Sequence, residues 1–167
     1  MPARSSRPTR RRITIGTGSR PFLNMAKAQS GSLPRAAGDL LFAYGTLMRG
    51  FDHPMARLLS ANADFLGEAT CRGRLYLVQH YPALVLSGDP TDIVFGELYR
   101  LHEREALLRE FDMYEACGEG FPAPTEYVRQ MLQVTLSDGA ADEAWTYIYN
   151  WPVADLPRIA SGRFLDN

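Results

Sequence analysis

Across the first 38 residues, bulky apolar side chains are scattered among Arg, Ser, Pro and Gly, and no period persists; at Leu40 the pattern changes abruptly. This predicts a disordered leader over 1–38 and an ordered domain over 39–167. Leu40-Leu41-Phe42-Ala43-Tyr44 is a short continuous apolar run, as expected of a strand buried on both faces, and Gly45-Thr46 ends it. One or two helical turns are predicted around Pro54–Leu59, with Met55, Leu58 and Leu59 facing inward. Leu75-Tyr76-Leu77-Val78 and Ala83-Leu84-Val85-Leu86 read as strands with a bend near Tyr81-Pro82, followed by the turn cluster Ser87-Gly88-Asp89-Pro90. Ile93 to Tyr99 is another strand. From Glu103 to about Glu115, Leu107, Leu108, Phe111 and Tyr114 recur at three- and four-residue spacing, which predicts an amphipathic helix. A Gly- and Pro-rich loop spans Cys117 to Thr125. Beyond it, Glu126 to Leu136 alternates, with Val128, Leu132, Val134 and Leu136 on one face and Tyr127, Arg129, Met131 and Gln133 on the other. After the Asp138-Gly139 turn, Glu143 to Tyr149 places Trp145, Tyr147 and Tyr149 on a single face.

Five or six strands, one strong helix and short connections predict an α+β domain. Strands mostly follow strands, which disfavours a doubly wound parallel sheet. The expected architecture is a mostly antiparallel, strongly curved sheet or small β-barrel, covered on one side by the 103–115 helix.

Charge and composition narrow the function classes. Positions 1–38 carry eight basic residues and no acid, whereas the remainder carries ten basic and nineteen acidic ones. The acidic domain argues against nucleic-acid binding by the folded part. The basic leader admits three readings: a solvated tail or over-long start before Met25, an organelle transit peptide, or a basic arm for an anionic partner. No apolar run approaches the ~18 residues of a membrane-spanning helix. Cys71 and Cys117 allow at most one disulfide, which fits a reduced, cytoplasmic setting better than a secreted scaffold. His53, His80 and His102 lack metal-ligand spacing, so no metal site and no cofactor are expected.

Three places carry candidate chemistry. At Tyr44-Gly45-Thr46-Leu47 a buried strand stops at glycine, where successive N–H groups can face a cavity; the same tetrapeptide also serves as a plain strand terminator. Glu115 follows Leu108 and Phe111 on the helix stripe, where desolvation would raise its pKa toward that of a general base; alternatively it is a solvated helix end. Tyr127 and Arg129 share a strand face able to hold a carboxylate, either a substrate's or that of Asp112, and a structural ion pair is the simpler option. Tyr147, on the aromatic face, serves equally as core or as cavity wall. No Gly-x-Ser-x-Gly, phosphate-binding loop or dinucleotide fingerprint is present.

Taken in order, Phe42-Ala43-Tyr44-Gly45-Thr46-Leu47, Gly73-Arg74-Leu75-Tyr76, Tyr81-Pro82-Ala83-Leu84, Val94 to Tyr99, Phe111-Asp112-Met113-Tyr114-Glu115, Tyr127-Val128-Arg129, Trp145-Thr146-Tyr147 and Ile159 to Phe164 resemble the gamma-glutamylcyclotransferase-like superfamily, including its plant avirulence-induced branch. The resemblance covers roughly 40–165. It implies a small barrel with a side pocket, with residues 44–47 as the substrate-binding loop and Glu115 as the proton acceptor. It also implies a small gamma-glutamyl substrate and cofactor-free release of 5-oxoproline. A non-catalytic binding or regulatory module on the same barrel is the alternative. Phe111 stands where Leu is usual, and Ala116 stands where Gly usually follows the acid, which bears on the turn that aims Glu115.

Overall fold

The computed structural model describes residues 38–166, so the expected leader, residues 1–38, lies outside the described residues except for Gly38. In chain order the elements are β1 (Leu40–Ala43), α1 (Pro54–Asn62), β2 (Ala63–Arg72), β3 (Arg74–Val78), β4 (Tyr81–Val85), β5 (Ile93–Leu101), α2 (Arg104–Tyr114), β6 (Tyr127–Leu136) and β7 (Ala141–Tyr149). Five strands close into a barrel in the order β1-β5-β2-β6-β7, and β3 and β4 form a separate two-stranded sheet. All barrel pairings are antiparallel except β1 with β7, which meet in parallel at Leu41 and Trp145. The expected α+β barrel is therefore present.

Both faces of β1 are buried because it separates two apolar clusters. Leu40 and Phe42 join Ala69, Cys71, Val94, Leu98, Val134, Leu136, Ala144 and Ile148, a cluster fed by all five strands that fills the barrel. Leu41 and Ala43 join Tyr99, Leu101, Leu107, Leu108, Phe111, Tyr147 and Tyr149, so α2 packs Leu107, Leu108 and Phe111 of its predicted stripe on the outer face of the sheet, while Tyr114, its last member, is exposed. Leu41, Leu59 and Phe111 have no exposed surface, and burial of each such side chain contributes about 1.5–3 kcal/mol.

Two sequence expectations need correction. Pattern reading did not find β2, a ten-residue strand paired along its length with β5. Its register shifts at a bulge between Phe65 and Gly67. The core-facing residues accordingly switch from Leu66 to Ala69 and Cys71, which breaks a strict alternation. The reversal between β3 and β4 falls at Gln79-His80, with Gln79 at φ +54°, not at Tyr81-Pro82, which lie within β4.

Local contacts fix the elements around one side of the barrel. His53 caps α1, its Nδ1 accepting from the Met55 N–H at 3.2 Å, and Pro54 occupies the first helical turn. The β3–β4 hairpin is bound at its base by Asp92, whose carboxylate accepts from Ser87 Oγ (2.6 Å), Arg74 Nε (2.5 Å) and Arg158 Nη2 (2.5 Å). Arg158 belongs to the C-terminal segment, which also joins β3 through Leu77 N–H to Pro157 O (2.9 Å) and Ile159 N–H to Leu75 O (2.8 Å). Among the described residues no helix is long and apolar enough to cross a membrane.

Candidate active site

A cavity of about 350 Å³ opens where the end of β1, the tip of the β3–β4 hairpin, the C-terminus of α2 and the first residues of β6 converge. Tyr44, Gly45, Thr46, Leu47, Glu115, Tyr127 and Tyr147 all line it, so most of the residues singled out from sequence meet in one place.

Residues 45–48 form a β-turn closed by the Met48 N–H on Gly45 O at 3.0 Å. Such a turn leaves the N–H groups of its central residues, here Thr46 and Leu47, outside any ladder and available to an oxyanion or carboxylate. Arg49 ties the turn to β5 through two bonds to Glu97, from its backbone N–H (2.8 Å) and its Nε (3.2 Å). Glycine is required at 45 for a protein contact: a Cβ there would run into the ring of Pro82. The turn is thereby packed against the β3–β4 hairpin.

The cavity wall is held by tyrosine hydroxyls spent on backbone carbonyls. Tyr44 donates to Tyr147 O at 2.5 Å, and Tyr127 donates to Pro82 O at 2.8 Å. Burial pushes both phenols well above their usual range, so they serve as fixed neutral donors. At the mouth, Tyr114 stacks on His53 with ring centroids 5.0 Å apart, and its hydroxyl lies 3.5 Å from both His53 Nε2 and Thr46 Oγ1.

Glu115 is the C-cap of α2, and the chain turns immediately after it. The Ala116 N–H bonds Met113 O (3.3 Å) and the Cys117 N–H bonds Asp112 O (2.9 Å), the paired bonds of a Schellman termination. Ala116 sits at φ +49°, so it adopts the left-handed conformation that glycine takes more readily. The departure from the family pattern at this position thus preserves the turn at some conformational cost. Three residues before Glu115, Asp112 anchors the helix end. It receives Arg129 Nε on Oδ1 (2.8 Å), Arg129 Nη2 on Oδ2 (3.0 Å) and the Tyr147 hydroxyl on Oδ1 (2.8 Å). Arg129, stacked over Trp145, is used in this ion pair and faces a separate groove, not the cavity.

The Glu115 carboxylate receives no hydrogen bond or ion pair from any described residue. Its pKa is pushed up to about 7, first by burial and then by the nearby Glu126 carboxylate. Glu126 is the site residue that the sequence reading passed over, although it adjoins the Tyr127–Arg129 stretch. It lines the same cavity and accepts from the Tyr81 hydroxyl at 2.7 Å. Sequence reading does not assign His53, His80 and Tyr81 to the site either, because no periodicity links these loop and hairpin positions, and it reads Tyr114 as part of the helix stripe. Among the described residues no Lys or Arg lines the cavity.

The closed five-stranded barrel with its flanking helices belongs to a known fold class. The family profile for gamma-glutamyl cyclotransferase, AIG2-like (GGACT), matches residues 41–166, and the chain belongs to this family. The gamma-glutamylcyclotransferase family protein YtfP of Escherichia coli strain K12 is 36% identical over 129 residues, covering 75% of this chain and 96% of that protein. Among solved structures, an AIG2-like protein from Mus musculus is 27% identical with a TM-score of 0.58, covering 75% of this chain and 88% of that one. YkqA from Bacillus subtilis shares the fold at 24% identity and a TM-score of 0.56; 75% of this chain aligns with only 39% of the longer YkqA.

Proposed function

We propose that the chain is a gamma-glutamyl cyclotransferase acting on a small gamma-glutamyl compound in the cytoplasm, with Glu115 as general base. One observation carries the reading: a carboxylate with no partner among the described residues faces a cavity and has its pKa pushed up to about 7. Such a group is ionised in part near neutral pH and basic enough to take a proton from an ammonium.

In the proposed reaction Glu115 removes a proton from the substrate's alpha-ammonium. The freed amine attacks the gamma-carbonyl carbon of the same molecule, and a carbon–nitrogen bond forms to close the five-membered ring. The Thr46 and Leu47 N–H groups receive either the developing oxyanion or the alpha-carboxylate. Glu115 returns its proton to the leaving nitrogen, whose bond to the gamma-carbon breaks. The ring nitrogen loses its second proton, which departs with the amine as ammonium, leaving 5-oxoproline. Because the attack is intramolecular, a well-oriented substrate gains on the order of 7–11 kcal/mol from effective molarity. The chemistry therefore requires neither a metal nor a covalent nucleophile.

The test is 5-oxoproline release by the full chain from gamma-glutamyl peptides, gamma-glutamyl amines and glutathione. Release from at least one class is expected. Saturable binding without release from any of them would favour the non-catalytic binding module instead.

A further inference from the structure

Glu126 has a setting that a surface acid would not need. Its backbone is pinned where β6 begins, its carbonyl accepting from the Asn150 N–H at 2.7 Å, while the preceding Thr125 carbonyl accepts from Asn150 Nδ2 at 3.0 Å. Its side chain is half-buried in the cavity wall, and Tyr81 donates to Oε1 at 2.7 Å. Oε2 receives no bond from a described residue. Tyr81 comes from the hairpin tip, so two separate elements meet to aim this carboxylate.

The charge balance of the cavity sharpens the point. Two carboxylates, Glu115 and Glu126, share a space that no described Lys or Arg lines; among the described residues the ring nitrogens of His53 and His80 are its remaining titratable nitrogens. A pocket of this kind favours a cationic group. If Glu115 were both counter-ion and base, the ion pair with the ammonium would stabilise the ground state and lower the basicity that proton abstraction uses. A second, anchored carboxylate removes that conflict.

We infer that Glu126, held by Tyr81, is the seat of the substrate's alpha-ammonium group and presents it to Glu115. The assignment rests on the proposed function and adds to it a binding residue with a defined selectivity: the pocket requires a free alpha-amine, and Glu126 carries that requirement. Nitrogen and carboxylate form a charge-assisted hydrogen bond, and Glu115 faces the same nitrogen from the end of α2. The negative charge of Glu126 also contributes to the raised pKa of Glu115, so one residue serves both substrate placement and base strength.

Calorimetric titration of the full chain tests this with two probes that differ only in the amine: L-glutamine, the smallest gamma-glutamyl amide, and glutaramate, its deamino analogue. The measurements are made in the Glu115→Gln background, where turnover is blocked and Glu126 is the remaining cavity carboxylate. A preference of at least ~10-fold for glutamine is expected, the value of one charge-assisted bond. Adding Glu126→Gln should erase the preference while leaving glutaramate affinity unchanged, and Tyr81→Phe should reduce it in the same direction. Because Tyr81→Phe keeps the ring, it supplies the answer should the double variant fold poorly. An undiminished preference in both variants overturns the assignment and leaves the proposed function standing. Absence of any preference in the Glu115→Gln background, together with no 5-oxoproline release by the unaltered chain, overturns both.

Discussion

Asp92 lies beneath the β3–β4 hairpin with Ser87, Arg74 and Arg158 around its carboxylate, whereas Glu115 ends α2 in the cavity with no protein group bonded to it. Asp92 is buried and Glu115 partly so, and the surroundings move them in opposite directions. The Ser87 hydroxyl and the two guanidinium groups hold Asp92 down to about 2 despite its burial. Desolvation with no compensating donor pushes Glu115 up to about 7. The first arrangement spends three hydrogen bonds on holding a hairpin to the C-terminal segment. The second keeps a carboxylate idle within the fold, which is costly unless a ligand uses it. Satisfaction of hydrogen bonds, more than burial itself, therefore separates the structural acid from the chemical one.

Exchanging each acid for its amide should separate the two roles. Glu115→Gln preserves shape but cannot accept a proton, so turnover should fall at least ~100-fold on any substrate the unaltered chain cyclises, with the melting temperature unchanged or higher. Near-normal turnover would remove the distinction between the two acids. Asp92→Asn should do the reverse. It leaves two guanidinium groups without their counter-charge, so the melting temperature should drop by several degrees, while turnover per folded molecule, assayed well below the melt, stays within a few-fold. Loss of activity with full stability in that variant would mean that the Asp92 region is part of the site.

The pH dependence of stability divides the same way. Glu115 binds its proton more tightly folded than unfolded, so it stabilises the fold at low pH, and that contribution is lost as pH rises from about 4.5 through about 7. Urea unfolding of Glu115→Gln should thus match the unaltered chain near pH 4.5 and exceed it above pH 7, by on the order of 3 kcal/mol. Asp92 has a lowered pKa, so its contribution is present above about 3.8 and disappears as pH falls through about 2. A Glu115→Gln advantage that is constant with pH would show that the carboxylate is not desolvated. The smallest expected effect is at the helix end. Ala116→Gly relieves the left-handed conformation and should stabilise the fold by about 1 kcal/mol or less, read as a rise of roughly 3 °C in melting temperature. Destabilisation instead would mean that the Ala116 methyl contributes packing that outweighs the strain at φ +49°.

Much of this was legible in the chain because local periodicity and tertiary burial agree there. The apolar run of β1, the stripe of α2 and the alternation of β6 and β7 each announce a face that the fold then buries. β2 escaped because its bulge exchanges the inward parity and its other face carries Asp64 and Glu68 to solvent. Glu115 could be suspected from helical phase, since position 115 continues 108 and 111. Glu126 could not be, because its orientation depends on Tyr81, 45 residues away on another sheet. The expected use of Arg129 as a carboxylate holder was right in chemistry, with Asp112 of the helix as its partner. For Gly45, the close approach that glycine allows is to Pro82.

The central claim is that the Glu115 carboxylate is desolvated and unpaired in the free protein, and it can be observed without any substrate. Carbon-13 labelling of glutamate carboxyls, with the Glu115 resonance assigned by its loss in Glu115→Gln, gives the titration midpoint by NMR. A midpoint near 7 is expected, about two and a half units above the ordinary value of 4.5. A midpoint at or below 4.5 would contradict the account, since it would describe a solvated or ion-paired helix end with no special capacity to move a proton.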